Sequence, residues 1–497
     1  MDRLTAKKDR GDRALTVKTI IGLIVTFGFQ LLPAPEPITR AGMAAIGMFL
    51  GIVWFIATVD KVWPTFVVMI LFSFYAFDIY PDSTADSPVY ETVLQSFGNR
   101  ITFFIVALML MCHAVSESGL LQRMTVWFVT SRVARRGPWS LTLMFLLATL
   151  IVGCVMDCTP ATVIMIMIAH EIFEALGFKP GDSWPKALIC MIPMVVTVAF
   201  GMTPIGHNLA VGIMGIASEA SETPVNMVQY MVIGVPTGLV ILTCMCLYFR
   251  FAVRPDVTPF ANVDYSALLS LKSGAMGKRE KFVAAVSLLV LLFWLMPGVL
   301  AIAAPQSQLL QFVNNMSMLW PVLVADALFA MVRIDGRPVL DMKDALSRIS
   351  WIPAFMFAGI IMVANALRQD SVGVIDWVTE QIVPLIGGAT PIVIIMVLAV
   401  VTVVCTNFLN NNAVGYLFIT ASAPIAASLG INPAVVAVVV ALGANCAYTT
   451  PAASVVATFS CTDEYCDAGY VFRHGCVMLL FSLAALSLLA YPLGKLI

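Results

Sequence analysis

Long apolar runs alternate with short polar breaks along this chain, and most of the runs have the length a bilayer demands. An α-helix needs about 20 apolar residues to cross the hydrocarbon core. Stretches near 18–34, 41–59, 62–80 and 98–118 therefore predict four spanning helices. The next stretch, 138–175, is too long for one span and is broken at its middle by Asp157-Cys158-Thr159-Pro160. A hairpin that enters the membrane and turns back fits it better than a straight crossing. The run at 186–218 is interrupted at Gly201-Met202-Thr203-Pro204-Ile205-Gly206 and reads as a broken helix, and 227–250 reads as one more span.

After a polar linker at 251–281 the pattern recurs. Spans are predicted near 282–303, 314–333 and 350–369. A hairpin at 390–430 follows, broken at Thr406-Asn407 and Asn410-Asn411-Asn412, and then a broken helix at 432–460, interrupted at Tyr448-Thr449-Thr450-Pro451. A last span at 470–494 closes the chain. Two landmarks repeat at nearly one offset: 253 residues separate Asp157 from Asn410, and 247 separate Thr203 from Thr450. Each half also carries an amphipathic segment ahead of its hairpin. In the first, Leu121, Met124 and Phe128 lie opposite Arg123 and Arg132; in the second, Ile375, Val378 and Ile382 lie opposite Asp376 and Glu380. The chain thus divides into a first repeat at 1–250, the linker, and a second repeat at 282–497.

Composition makes the bilayer the main solvent: 60% of the 497 residues are hydrophobic and only 11% are charged. The net charge of −1 excludes a nucleic-acid partner, which would call for clustered Lys and Arg. The first eighteen residues carry Arg3, Lys7, Lys8, Arg10, Arg13 and Lys18 and no cleavable signal, so they read as a cytoplasmic tail. Threading the spans from an inside N-terminus puts the C-terminus outside, and the two hairpins enter from opposite faces. All 28 Lys and Arg except Arg40, Arg100, Arg368 and Lys495 then fall inside, as the positive-inside rule requires. The halves are therefore inverted, and the fold class is an all-α polytopic membrane protein of two inverted repeats, each with a re-entrant hairpin and a broken helix. The cell (inner or plasma) membrane is the expected location.

In inverted-repeat transporters, substrate and coupling ion bind where helices break near the midplane. Irregular backbone survives at that depth only if it is buried or lines a wet cavity. The candidate sites are accordingly the segments 153–160, 201–208, 405–412 and 447–454. Asp157 comes first, because an ionisable group at an intramembrane tip is costly unless it binds something; it could hold Na⁺ or carry a coupled proton. Capping the helix that starts beside Pro160 is its purely structural alternative. His207 is a second proton-coupling candidate, weighed against a simple hydrogen-bonding role. Substrate-binding candidates are Thr159, Asn410, Asn411, Asn412, Thr203, Pro204, Thr450, Pro451 and Ser454, which supply hydroxyls, amides and freed backbone groups. The Na⁺ candidates are Asp157, Gly153, Gly201, Thr406, Asn411 and Ala453; Thr406 and its neighbour Asn407 have a structural alternative in satisfying broken backbone.

Rival chemistries find little support. His170-Glu171 does not complete HExxH, since position 174 is Glu, and neither a nucleophile elbow nor a Walker A lysine motif is present. A channel would show one continuous polar pore instead of paired interruptions. The eleven cysteines and 28 methionines, many in apolar runs, read as core residues and not as a copper or redox relay. No cofactor is expected beyond a coupling Na⁺ or H⁺.

Several segments carry a family resemblance that covers nearly the whole chain: Phe97-Gly98-Asn99 through Glu117-Ser118-Gly119-Leu120, Phe357-Ala358-Gly359 through Asn365-Ala366-Leu367, the Thr203-Pro204-Ile205-Gly206 break, and the two hairpin tips. It resembles the divalent anion/sodium symporter family, whose members carry dicarboxylates, citrate or sulfate. The resemblance implies a homodimer in which a transport domain, holding both hairpins and both broken helices, moves like an elevator against a scaffold. It also implies that the tips bind Na⁺ and substrate together. The family's two Ser-Asn-Thr tips correspond here to Asp157-Cys158-Thr159 and Asn410-Asn411-Asn412, so the first tip exchanges an amide for a carboxylate. The Thr-Pro-Pro-Asn element that follows each break in the family is reduced to His207-Asn208 and to Ser454. The implied activity is secondary active transport of a small anion with Na⁺ or H⁺, the alternative being a permease or exchanger of another solute.

Overall fold

The computed structural model describes residues 2–262, 275–304, 307–377, 380–381, 390–449 and 454–497. The first part contains α1 (Asp2–Gly28), α2 (Arg40–Thr58), α3 (Pro64–Ile79), a short α4 (Pro88–Gln95), α5 (Arg100–Glu117) and α6 (Leu120–Val129). The first hairpin follows as α7 (Pro138–Val155) and α8 (Cys158–Leu176), then the first broken helix as α9 (Ser183–Met202) and α10 (Asn208–Ser221), and then α11 (Met227–Tyr248). The second part contains α12 (Lys278–Ala303), α13 (Gln308–Met316), α14 (Leu319–Met331), a two-residue β-ribbon of β1 (Arg333–Ile334) and β2 (Arg337–Pro338), α15 (Met342–Arg348) and α16 (Ile352–Leu367). Its hairpin is α17 (Pro391–Thr406) and α18 (Asn411–Ser428), its broken helix α19 (Pro433–Ala444) and α20 (Val455–Cys461), and its last helix α21 (Ala468–Gly494). Among the described residues, nine helices are long and apolar enough to cross a membrane.

From α5 and from α16 onward the order is the same: helix, hairpin, broken helix, helix. Each tip is built alike. The Asp157 side chain caps α8 by accepting from the Thr159 amide at 3.0 Å, and Asn410 caps α18 by accepting from the Asn412 amide at 3.1 Å. These two residues stand at the 253-residue offset that the sequence shows, so the repeat extends to single hydrogen bonds.

Burial sorts the helices into centre and periphery. Helix α9 is almost wholly buried and α19 is buried from Ala434 to Ala444, whereas most of the apolar part of α1 and of α12 is not buried. Helices that are apolar all round belong either inside or against lipid, and here the broken helices take the inside. Gly201 sits where α9 crosses α19: a Cβ there would come 2.9 Å from Leu442 Cδ1. Ion pairs fall into two groups. Arg123–Glu280, His170–Asp463 and Lys186–Asp467 join residues expected on the inner side, and Arg368–Glu219 joins residues expected on the outer side.

Three details differ from expectation. The predicted tail before residue 18 is continuous with the first span, because α1 begins at Asp2; nothing between residues 2 and 28 is a helix-breaking proline. The span predicted at 314–333 is shorter, α14, with α13 separated from it at Ser317 in the left-handed region. The span predicted at 350–369 is preceded by α15, bent from α16 by 68°. In the second amphipathic segment Val378 and Ile382 lie outside the described residues, as do Thr450, Pro451 and Ala453 of the second break.

Candidate substrate and cation site

Both tips and both breaks converge on one cavity of about 200 Å³. Asp157, Cys158 and Thr159 contribute from the first tip and Asn410, Asn411 and Asn412 from the second. His207 and Asn208 come from the first break, Asn445 and Ser454 from the second. Phe200 and Thr197 of α9, Tyr416 of α18, and Pro353 and Met356 of α16 complete most of the wall. The volume lies below the roughly 300–1,000 Å³ of sites for drug-sized ligands, which suits a small solute.

Asp157 is exposed to this space. One carboxylate oxygen caps α8, and no described residue is hydrogen-bonded to the other. The capping and binding roles therefore coexist on one side chain. At the second tip Asn410 is the cap, Asn411 Oδ1 accepts from Thr406 Oγ1 at 3.0 Å, and Asn412 lines the cavity with no described side-chain hydrogen bond. Among the described residues, no Lys or Arg lines the cavity. An anion there must rely on amide, hydroxyl and helix-start N–H donors, with a cation to offset Asp157.

The tips are tied to the breaks behind the cavity wall. Thr203 is buried and its hydroxyl donates to the Cys154 carbonyl at 3.2 Å. Gly206 lies against the first tip, where a Cβ would stand 2.6 Å from the Val155 oxygen. At the second tip the fully buried Thr406 donates to the Ala444 carbonyl. Asn407 donates to the carbonyls of Val403 at 2.8 Å and Cys446 at 2.9 Å, and Thr449 donates to Asn407 Oδ1 at 2.7 Å. These bonds satisfy backbone groups that the broken helix leaves open, as buried polar groups require.

Of the sequence-derived candidates, Asp157, Thr159, Asn410, Asn411, Asn412, His207 and Ser454 stand together on the cavity wall. Thr203, Pro204, Gly153, Gly201 and Thr406 are buried or part-buried behind it. The Gly201 carbonyl accepts from the Tyr230 hydroxyl at 2.6 Å, and Gly153 packs where a Cβ would meet Ala199 at 2.9 Å. Sequence reasoning overlooked Asn445. Its amide donates to the Ala441 carbonyl at 2.7 Å and faces His207 Nε2 at 3.0 Å, which makes that nitrogen the acceptor. The imidazole proton then sits on Nδ1, which is buried and has no described partner. The signal for Asn445 was present as a lone amide closing the apolar run 433–444.

Residues 36–443 match the family model described as citrate transporter. The chain belongs to the citrate transporter family. Membership makes it a membrane transporter and not an enzyme. A relative of this citrate transporter family member, the sodium-dependent dicarboxylate transporter SdcS of Staphylococcus saprophyticus, is 24% identical over 454 residues, covering 88% of this chain and 83% of the relative. SdcS of Staphylococcus aureus strain USA300 is 23% identical over 379 residues, or 73% and 70% of the two chains. Among solved structures, the Alcanivorax borkumensis YdaH transporter superposes with a TM-score of 0.58 at 15% identity, covering 90% of this chain and 98% of that one. That likeness concerns the fold.

Proposed function

We propose that this transporter carries a small di- or tricarboxylate together with Na⁺ or H⁺ by alternating access, using the cavity between the two tips. One observation supports this reading above the others: four separate interruptions meet at one small cavity whose wall, among the described residues, holds one carboxylate and no cationic side chain of Lys or Arg. A buried anion beside an ionised Asp157 is repelled at low dielectric, so a bound cation has to accompany it. In this reading Asp157, with oxygens of the second tip around Asn411 and Thr406, holds the cation, and Thr159, Asn410, Asn412 and Ser454 hold the carboxylates. The sodium dependence of the SdcS relatives supports Na⁺; a titratable Asp157 beside His207 supports H⁺ as the second reading. The moving unit is the pair of hairpins with their broken helices, in a homodimer with its N-termini in the cytoplasm.

The experiment is thermal stabilisation of the detergent-purified protein by citrate, succinate, sulfate and sulfonates, each with Na⁺ and with choline at two pH values. A bound solute raises the melting temperature by mass action. A carboxylate shift that requires Na⁺ supports sodium coupling, and one indifferent to Na⁺ but dependent on pH supports proton coupling. No shift with any carboxylate overturns the proposal.

A further inference from the structure

Asp326 lies within α14, a helix otherwise made of apolar residues. It is only 6% exposed, and both of its carboxyl oxygens are buried without a hydrogen-bond partner among the described residues. An ionised carboxylate in that position would lack any compensation for its lost hydration. The neutral acid bears only the smaller penalty of unsatisfied polar atoms.

Among the described residues its neighbours supply no compensating charge. The elements packed on α14 are α5, α12 and β2. From α5 come Cys112 and the adjacent His113, with Arg100 and Glu117 at that helix's ends. The charges of α12 are Lys278, Arg279, Glu280 and Lys281, all in its first turn, where Arg279 donates to the Val339 carbonyl at 2.9 Å. Strand β2 brings Arg337, which is exposed. No described ion pair reaches Asp326.

One neighbour links it to the transport site. Cys112 stands on α5, a helix that packs on α14. Its thiol also donates to the Val155 carbonyl at 3.6 Å, two residues before Asp157. Helix α5 thus packs on the helix that carries Asp326 and touches the first tip two residues before Asp157.

We propose that Asp326 is a proton-binding site of this transporter, outside the substrate cavity and coupled to the first hairpin tip through α5. In the conformation seen here Asp326 is the neutral acid. When the tip draws away from α5 and opens the Cys112–Val155 contact, water reaches the carboxyl, and its proton passes to that water, leaving the carboxylate. With Asp157 ionised, this step puts like charges on two elements that both pack on α5, so occupancy of Asp157 and of Asp326 is linked. What the bound proton does for transport rests on the function proposed above, whereas its presence does not.

Infrared difference spectroscopy of the purified full-length protein tests the site directly. Alkaline titration is expected to remove a carboxylic-acid carbonyl band, and that band is expected to be missing in Asp326→Asn and retained in Asp157→Asn. Asparagine is close in shape to the neutral acid; should that variant fail to fold, Asp326→Glu must shift the band. In proteoliposomes, citrate or succinate uptake by Asp326→Asn is expected to lose the pH dependence of the native protein. A band unchanged in both Asp326 variants, or an unaltered pH profile, overturns the proposal. Absence of carboxylate uptake by the native protein, with the band behaving as expected, would instead overturn the function proposed above and leave this site standing.

Discussion

Asp157 shows how a single side chain can serve structure and transport at once, and the two roles separate by substitution. Asparagine is as good a helix cap as aspartate, so Asp157→Asn is expected to keep the melting temperature of the solute-free protein while abolishing the Na⁺ or pH dependence of solute-induced stabilisation. Asp157→Ala is expected to lose the cap as well, at about 1 kcal/mol. Retained cation dependence in Asp157→Asn would remove Asp157 from the coupling site. Thr406 behaves differently, because it is buried and bonded to the Ala444 carbonyl and to Asn411. Thr406→Val removes the one hydroxyl proton that the Ala444 carbonyl and Asn411 Oδ1 share and is expected to cost roughly 1–3 kcal/mol, read as a lowered melting temperature with or without solute. At this scale the tips were legible because polar residues inside apolar runs are rare, and so was their repeat. The pairing of His207 with Asn445 was not, since the two residues are 238 positions apart and no local pattern links them.

The elements are held in place by close approach and by caps. Gly206→Ala puts a Cβ 2.6 Å from the Val155 oxygen, a backbone atom with little room to yield. Such overpacking costs about 1–3 kcal/mol and moves the first tip relative to its break. Solute-induced stabilisation is therefore expected to fall more than the stability of the empty protein, and equal losses would show that the contact is only structural. Asp467 caps α21 through the Tyr470 amide and pairs with Lys186 of α9. The Lys186 ammonium and that amide hold its carboxyl below the usual carboxylate range. A lowered folded-state value means stability that is fully present above the unfolded carboxylate value of about 3.9 and lost as pH falls through the folded one. Asp467→Asn keeps the cap but not the charge, so its melting temperature is expected to sit slightly below that of the native protein at neutral pH and to converge with it on acidification. The pair is solvent-exposed, so the difference is small. Hairpins and broken helices were legible as elements because apolar run length is a direct readout of bilayer thickness. Their boundaries were less so, as the merging of the predicted tail into α1 and the bend between α15 and α16 show.

For the whole molecule, the grouping of ion pairs into two sets gives a test of orientation. Single cysteines introduced beside Glu219 and beside Asp463 in a background lacking accessible cysteines are expected to react with an impermeant thiol reagent from opposite sides of the membrane, the Glu219 side being outside. Labelling of both from one side would overturn the inverted threading. Native mass spectrometry of the purified transporter is expected to show two 53.7 kDa chains in one particle, and a monomer would remove the homodimer. The sequence by itself determined that this chain lives in a bilayer, that it is built twice over, and which four segments are too polar to be ordinary span. Those facts follow from local composition and period, which the solvent imposes residue by residue. Only the tertiary structure decided which polar groups share the cavity and which are spent bonding broken backbone, because that choice depends on α9 crossing α19 at Gly201 and on the first break packing against the first tip at Gly206. It also set Asp326 apart from an ordinary buried residue, since the absence of a partner can be seen only when every neighbouring element among the described residues is in place.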